Sequence, residues 1–509
     1  MNRRNFLALA SSMALPIKLS GFSLTAHNEQ SPLLRSALAS APTAEGRVLV
    51  IIYLNGGNDG LNTVIPLDFY PKYYNLRSNI AIPENKVLKL NSFSETGLHP
   101  SMPGLQNLFN EGKLGIVHSV SYPYPNQSHY RSTDIWMTAV DSDKYSQSGW
   151  AGRYLNSKYP GYPLGYPNTQ MKDPLAIQIG YNNTTTLLGT DQPMNISLQD
   201  PTSFYQLLGT VEGTSSDDLP CCDAGELIKH YREQEMLSVG YSQEIKTAGD
   251  AGKNMVTYPG AVGVNNLGEQ LKIVARLIHG GLSTKVYCVE LRGFDTHASQ
   301  VSTSSTIEGE HASLLKQLSE AITAFQNDLQ LQGTQDRVVG MTFSDFGRRA
   351  NSSASKGTDH GVAAPMFIFG SGIKRQMIGT NPNLDVDLIP ITPSQYNNNQ
   401  DIKMQVDFRR VYRDLLVDWL GATETTSNSI LYKNFTTTSL FSDTVQSLGS
   451  GMWPDRAIWS TGRMPGPNDI VVINSGHTIS VGQDITVKQV HVEGNGELNL
   501  LGNYKITTT

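Results

Sequence analysis

The feature that most constrains the fold is a short apolar run that ends abruptly in glycines. Residues 47–54 read RVLVIIYL, and residues 55–60 read NGGNDG. A continuously apolar, β-branched run of this length is typical of a strand that is buried on both faces, as in the centre of a parallel sheet. Because ligands of open α/β sheets bind beyond the carboxyl ends of such strands, the polar turn after this run is a candidate site.

Strand-like and helix-like patterns then alternate along most of the chain. Further apolar runs lie at 114–119, 285–291, 338–343 and 366–369, and helical patterns lie at 267–278, 311–331 and 408–420. This alternation predicts one large α/β domain over residues 45–450, with a mainly parallel sheet and helices on both of its faces. Two polar or Pro/Gly-rich stretches, 158–168 and 209–223, are interpreted as surface loops.

The pattern changes after residue 450. Short segments of alternating polar and apolar residues follow one another, separated by turns such as Asn-Ser-Gly and Gly-Asn-Gly. They predict a small all-β module over residues 451–509. This pattern of short strands and turns resembles the opening coils of secreted β-helix domains. Because fewer than about 60 residues bury little surface alone, we expect the module either to continue in a longer β-helix or to dock on another surface.

The N-terminus resembles an export signal. Arg3 and Arg4 precede a short, mildly apolar stretch, Leu7 to Leu24. This arrangement predicts a twin-arginine-type signal peptide and leader over residues 1–44, although a basic helix start remains the alternative. The predicted partner is the twin-arginine export machinery, and the predicted location is the periplasm or the cell surface. No apolar run reaches the roughly 20 residues that a membrane span requires.

Charge and cysteine content exclude some classes of function. The chain has 39 Lys+Arg against 45 Asp+Glu, a net charge of −6, and its basic residues form no cluster. A nucleic-acid-binding role is therefore not expected. Cys221, Cys222 and Cys288 provide neither a disulfide framework nor a metal-binding spacing. Cys288 lies in an apolar run and is predicted to be a buried strand residue.

Five ordered segments carry most of the polar residues that could support chemistry. They are LNGGNDGLN (54–62), PNQSHYRSTDIW (125–136), RGFDTH (292–297), FSDFGRR (343–349) and GTDHG (357–361). In this order they resemble domain-of-unknown-function family 1501, exported bacterial proteins of the alkaline phosphatase/sulfatase-like superfamily. The resemblance covers about residues 45–421. It implies a metal-dependent hydrolase of phosphate or sulfate esters that acts on a small anionic ester or a surface glycan.

The candidate metal ligands follow strands or precede them. A carboxylate and an imidazole two residues apart, Asp295 and His297, can converge on one divalent ion. The resemblance adds His360, which precedes an apolar strand, and two acids that follow strands. The full candidate set is Asp59, Asp295, His297, His311, Asp345, Asp359 and His360. Asp59 could instead be a turn residue, and His311 could be a solvated helix residue.

The resemblance also implies a hydroxyl nucleophile at the start of a helix. Ser128 and Ser132 are the candidates, and either could simply be a helix cap. Arg131 and His129 lie in the same segment and could meet an anionic group.

One position departs from the superfamily pattern. Related hydrolases usually have Asp-His-Gly where this chain has Asp345-Phe346-Gly347. Because phenylalanine cannot bind a metal, either Asp359 or His311 replaces the missing ligand, or only one metal is held. Zinc is expected at the tight site, and Ca²⁺, Mg²⁺ or Mn²⁺ at a second, weaker one. The alternative function is a non-catalytic scaffold for surface binding or assembly. Arg348 and Arg349 could bind the anionic substrate or the Asp345 carboxylate, but they are predicted to be an exposed pair at a helix start.

Overall fold

The computed structural model describes residues 16–19, 22–25, 46–180, 184–208, 223–260, 266–390, 400–442, 444–461, 464–467 and 469–508. Contacts divide the chain into two units, residues 1–47 and 48–509. The first unit contains an antiparallel pair of strands, Pro16–Leu19 and Phe22–Thr25. Most of the predicted signal peptide and leader lies outside the described residues, as do Cys221 and Cys222 in the predicted loop.

The second unit is built on a nine-stranded sheet. Its strands are β1 (Val48–Asn55), β2 (Leu114–Ser121), β3 (Ala176–Ile179), β4 (Asn195–Leu198), β5 (Val286–Arg292), β6 (Val338–Ser344), β7 (Ala364–Phe369), β8 (Met377–Ile378) and β9 (Val406–Asp407). Their order is β8-β2-β7-β6-β1-β5-β3-β4, and β9 also pairs with β2. The pairings of β7 are antiparallel and the others are parallel, so the predicted mainly parallel sheet is confirmed.

The strand β1 lies inside this sheet, as its sequence predicts. It pairs in parallel with β5 on one side and with β6 on the other. Residues 48–52 of β1 are buried, as is every residue of β2 and β6. Cys288 is a buried, free cysteine on β5. Because β1, β5 and β6 are parallel neighbours, their carboxyl ends meet at one edge of the sheet, where the loops that follow them can build a site.

Helices occupy the connections between the strands. They are α1 (Gly60–Thr63), α2 (Tyr70–Arg77), α3 (Pro103–Asn110), α4 (His129–Thr138), α5 (Trp150–Lys158), α6 (Pro201–Leu208), α7 (Asp223–Ala251), α8 (Leu267–His279), α9 (Glu310–Leu331), α10 (Phe408–Asp414) and α11 (Glu424–Ile430). A π-helical turn, Leu415–Trp419, extends α10. The sequence did not predict α7, whose apolar periodicity is weak. None of the described helices is both long and apolar enough to cross a bilayer.

Shorter elements complete this part of the chain. An antiparallel three-stranded sheet contains Val64–Pro66, Leu88–Leu90 and Phe93–Leu98, and a two-stranded one contains Leu388–Pro390 and Gln400–Ile402. Single 3₁₀ turns lie at Leu67–Phe69, Glu84–Lys86, Thr185–Leu187, Gln335–Arg337 and Arg456–Ile458.

The C-terminal stretch forms small parallel sheets, one coil above the next. Its strands are β10 (Thr444–Gln446), β11 (Gly451–Met452), β12 (Ile470–Ile473), β13 (Thr478–Val481), β14 (Ile485–Val487), β15 (Gln489–Val492), β16 (Glu497–Leu500) and β17 (Ile506–Thr508). The sheets are β10-β12-β15, β11-β13-β16 and β14-β17. Trp453 and Trp459 are fully buried in a separate hydrophobic cluster inside these coils.

A buried ion pair joins these coils to the α/β part. Arg375 lies just before β8, and its guanidinium is 2.6 Å from the carboxylate of Asp469, which precedes β12. Both side chains are 5% exposed. Further hydrogen bonds cross the same boundary, from the Gly379 amide to the Thr461 carbonyl at 2.7 Å and from Arg410 to the Ser460 carbonyl at 2.5 Å. The coils therefore both enclose a small core and dock on the larger domain.

We predict that the ion pair contributes substantially to stability. Asp469→Ala would leave the Arg375 charge buried without its carboxylate, which should cost about 3–5 kcal/mol in the free energy of unfolding. Asp385→Ala is the matched control, because Asp385 forms an exposed ion pair with Lys72 and such pairs contribute about 0–1 kcal/mol. Urea denaturation of the two variants measures the difference, and equal losses would contradict the predicted role of the buried pair.

Candidate metal centre

Three loops meet at the carboxyl edge of the sheet, one each after β1, β5 and β6. Gly56 and Gly57 follow β1 with φ angles of +122° and +86°. A Cβ atom on Gly56 would lie 2.4 Å from the Asp295 amide nitrogen, and one on Gly57 would lie 2.6 Å from the Phe346 ring. Both positions require glycine, because only a residue without Cβ allows the other two loops to approach this closely.

Arg348 joins the loops through its hydrogen bonds. Its side chain is completely buried, so the predicted exposed position is wrong for this residue. The guanidinium donates hydrogen bonds to four backbone carbonyls, those of Gly56, Gly57, Phe294 and Thr358. It also donates to Asp295 Oδ1 at 2.7 Å. This single side chain therefore fixes the relative positions of the loops that carry the candidate ligands.

A carboxylate oxygen of Asp295 is the centre of a histidine cluster. Asp295 Oδ1 lies 3.1 Å from His297 Nε2, 3.4 Å from His360 Nε2 and 3.5 Å from His129 Nε2. The Nε2 atoms of His297 and His360 are 2.8 Å apart. One ligand atom from each of His129, Asp295 and His360 lies within 4.8 Å of the others. The structure thus brings together three of the predicted ligands and adds His129.

Each imidazole in the cluster has an acceptor behind its Nδ1 atom. The acceptors are Asp345 Oδ2 at 2.6 Å for His129, the Gln127 carbonyl oxygen at 2.8 Å for His360, and Asp359 Oδ1 at 3.4 Å for His297. A carbonyl oxygen only accepts, so His360 donates from Nδ1 and directs the lone pair of Nε2 into the cluster. The same tautomer of His129 gives Nε2 a lone pair, and this buried atom has no hydrogen-bond partner.

The charge states of the cluster favour metal binding. Burial raises the pKa of the Asp295 carboxyl, but the hydrogen bond and charge of Arg348, with His297 and His129, lower it below the usual range. Asp295 is therefore ionised. Burial is the main cause that lowers the pKa of His360, and the Arg348 charge adds to it against the hydrogen bond to Gln127. A neutral imidazole beside a carboxylate is the form that binds a metal.

The donor set suits a divalent transition metal. Imidazole nitrogens and a carboxylate oxygen are common zinc ligands, and tetrahedral bonds of about 2.0–2.1 Å place ligand atoms about 3.3 Å apart. The separations of Asp295 Oδ1 from the three Nε2 atoms, 3.1–3.5 Å, are close to this value. Hydrogen bonds to the outer nitrogen of metal-binding histidines orient the rings in the same way. A metal would also satisfy His129 Nε2, which is otherwise unpartnered.

Asp345 and Phe346 form the wall behind His129. The Asp345 side chain is fully buried, and its Oδ1 accepts hydrogen bonds from the Tyr53 hydroxyl at 2.8 Å and the Gly56 amide at 3.2 Å. Burial and the Asp345 charge raise the pKa of Tyr53 far above its ordinary value, so this hydroxyl remains a donor. The Phe346 ring packs on His129 and His360, with centroid distances of 4.8 and 4.4 Å. Both carboxylate oxygens of Asp345 thus have protein partners.

Asp59 and His311 lie in a separate buried network and not in the cluster. Arg77 Nη1 donates to both carboxylate oxygens of Asp59, at 2.8 and 2.7 Å, and Gln300 donates to one of them at 2.6 Å. Burial raises the pKa of Asp59, but Arg77 outweighs it and the pKa lies below the usual range. His311 Nε2 lies 3.0 Å from Asn58 Oδ1, and burial lowers the pKa of His311 to about 4. Asp59 is therefore an ionised partner of Arg77.

The three catalytic candidates occupy different environments. Ser128 is exposed at the N-cap of α4, and its side chain makes no capping hydrogen bond. Ser132 is buried, and its hydroxyl bonds to the Asp345 carbonyl oxygen and, at 2.8 Å, to a tyrosine hydroxyl. Arg131 bonds to Asp134 and to backbone carbonyls in the segment 141–144. Of the two candidate serines, Ser128 is therefore the exposed one, and it is adjacent in sequence to His129.

His129 is the residue of the cluster that the sequence did not identify as a candidate ligand. It lies far along the chain from Asp295, and its neighbours in sequence indicate a helix start rather than a metal-binding spacing. Its position between Asp345 and Asp295 depends on how the loops after β5 and β6 converge on α4. The one signal available was its place in a segment already singled out for a nucleophile.

Comparisons with known proteins bear on the family and the fold. A family model described as "Protein of unknown function (DUF1501)" matches residues 47–432. A search of curated proteins gives no match. Among solved structures, lipoteichoic acid synthase LtaP from Listeria monocytogenes is 12% identical, covering 66% of this chain and 68% of that chain with a TM-score of 0.30. An alkaline phosphatase superfamily protein from Vibrio parahaemolyticus is 10% identical, covering 67% and 64% with a TM-score of 0.30. Alkaline phosphatase from the Antarctic bacterium TAB5 is 7% identical, covering 64% and 92% with a TM-score of 0.25.

Proposed function

Because the chain belongs to the DUF1501 family, whose description gives no activity, we propose its function from the site itself: a metal-dependent hydrolase of phosphate or sulfate esters that is exported from the cytoplasm. The observation that carries the proposal is the convergence of His129, His360 and His297 on one oxygen of Asp295. The buried, unpartnered Nε2 atom of His129 supports a metal rather than a hydrogen-bonded cluster.

The residues of the cluster have distinct tasks in this proposal. His129, His360 and Asp295 would hold the metal. His297 is partly exposed, and its Nε2 atom lies 3.1 Å from Asp295 Oδ1, so it is the next imidazole available to the metal. When bound, a divalent metal supplies positive charge that polarises an ester oxygen and stabilises charge that develops on it. Asp345 and the Gln127 carbonyl hold the tautomers of His129 and His360. Arg348 keeps Asp295 ionised and in place.

Ser128 is the proposed nucleophile, because it is the exposed one of the two candidate serines. It lies between Gln127 and His129, both of which belong to the site, and the first turn of α4 presents backbone N–H groups that favour an anionic ester. Its Oγ would form a bond to phosphorus or sulfur as the bond to the leaving alcohol breaks. Water would then cleave the serine ester, release phosphate or sulfate and restore the hydroxyl.

We predict about one tightly held metal per chain after dialysis, measured by elemental analysis. His129→Ala, His360→Ala and Asp295→Ala should each remove it, because each leaves too few ligands for tight binding. His491→Ala should retain it, because His491 is an exposed residue of β15. Asp59→Ala should also retain it while lowering the free energy of unfolding by about 3–5 kcal/mol, since it leaves Arg77 buried without its partner.

Two outcomes would contradict this assignment. Two equally tight metals would show that Asp345 or Asp59 exchanges its protein partners for a second ion. No metal, even when zinc is supplied during expression, would favour the alternative function, a non-catalytic scaffold for surface binding or assembly.

A second prediction separates the two candidate serines. Ser128→Ala should lower ester hydrolysis by roughly a thousandfold or more while leaving metal content unchanged, because it removes only the nucleophile. Ser132→Ala should lower stability, because Ser132 is a buried hydrogen-bonded residue, and should retain most of the activity per folded molecule. Hydrolysis of 4-nitrophenyl phosphate and sulfate measures both. The reverse pattern would assign the nucleophile to Ser132.

Export is tested with a reporter. Residues 1–45 fused to a reporter protein should leave the cytoplasm, and changing Arg3 and Arg4 together to Lys should stop this, because the twin-arginine route reads the arginine pair. Cell fractionation measures the distribution. Unchanged export of the double variant would argue against this route.

A further inference from the structure

A cavity of about 390 Å³ lies beside the metal cluster, and its lining includes His129 and Asp345. Residues at the carboxyl ends of three neighbouring strands form its polar wall, namely Asn55 on β1, Gln178 on β3, and Glu290 and Arg292 on β5. We propose that this cavity binds a neutral, hydroxyl-rich group such as a sugar ring. The inference rests on the proposed function in one respect, that this group is the alcohol part of the ester that is cleaved.

Gln178 provides the observation that points to a ligand. The residue is 7% exposed, and its Nε2 atom donates to the Ile179 carbonyl oxygen at 3.2 Å. Its Oε1 atom is buried and has no hydrogen-bond partner. A buried acceptor without a partner is costly and rare in folded proteins. Gln178 is one of the residues that line the cavity, so a ligand hydroxyl that reaches Oε1 would supply the missing donor.

The charges along the wall favour a neutral ligand over a cation. Glu290 accepts hydrogen bonds from Arg292 Nε at 2.8 Å and from Asn55 Nδ2 at 2.6 Å. Asp134, which also lines the cavity, is paired with Arg131. Asp345, the third carboxylate of the lining, is paired with His129 and Tyr53. All three carboxylates already have positive or donor partners, so none offers an uncompensated charge to an ammonium group. Their remaining lone pairs can still accept from ligand hydroxyls.

The rest of the lining is consistent with a sugar. Residues 184–186, three threonines, lie on the wall, and Ile51, Val289 and Phe343 provide apolar surface. Tyr130 lies at the rim and is 92% exposed. Its ring offers a flat apolar face with a polar tip, which suits a group with both C–H and O–H surfaces. A few convergent polar groups over an apolar lining are typical of a small-molecule site.

Ligand-detected NMR tests the proposal on the full chain. The probes are methyl glycosides of glucose, galactose, mannose and N-acetylglucosamine, with choline as the cationic comparison. At least one glycoside should receive saturation transfer. Gln178→Met, which keeps the side-chain volume but removes the acceptor, should weaken its binding about tenfold, the effect of one hydrogen bond. Tyr130→Ala should weaken it several-fold, and Gln489→Met, an exposed position on β15, should leave it unchanged.

Three results would overturn the inference: no glycoside binds, choline binds in preference to every glycoside, or both cavity variants bind as the unmodified chain does. Because Tyr130 is exposed, the second variant remains informative if Gln178→Met does not fold. The glycosides contain no ester, and metal content is measured on the same samples. Glycoside binding by a chain that holds no metal would therefore refute the proposed function while supporting the cavity assignment.

Discussion

The site depends on one buried cation. The Arg348 guanidinium is removed from water, which is costly unless every donor and the charge are compensated. Four backbone carbonyls and the Asp295 carboxylate provide that compensation. The carbonyls belong to three loops, so the loops can reach Arg348 only in one arrangement. That arrangement places Asp295 next to the histidines, and the same carboxylate then serves both the structure and the proposed metal site.

Two acids that look alike in the sequence end in different environments. Asp59 and Asp345 each follow an apolar strand, and the sequence predicts both as ligands. Asp59 meets Arg77 from α2, and Asp345 meets His129 from α4. Which partner reaches which carboxylate depends on contacts between residues that are distant in the chain. His129 also lies where it can bind a metal through its other nitrogen, so Asp345 supports the cluster from behind instead of joining it.

The sequence was most informative where local pattern decides the outcome. Apolar runs indicated the central strands, and strand-end position pointed to Asp295 and His297, because parallel strands bring their carboxyl ends together. His360 came instead from the family resemblance, since it precedes the antiparallel strand β7. The sequence did not indicate the position of His129, because that position depends on how α4 packs against the loops. It also did not indicate that Arg348 is buried, because arginine is rarely buried and the partners of Arg348 are mainly backbone carbonyls, which every residue has. The alternating pattern after residue 450 predicted strands, but not that two tryptophans would give the coils a core.

Three consecutive residues at the start of α4 connect the parts of the site. Successive residues in a helix point about 100° apart, so neighbours in sequence face different directions. Ser128 is exposed at the N-cap, His129 points to Asp295 and Asp345, and Tyr130 borders the cavity. The proposed nucleophile, metal ligand and ligand-binding surface therefore share one rigid segment. Because Ser132, one turn further on, anchors α4 to the Asp345 carbonyl, the loop after β6 sets the position of all three at once.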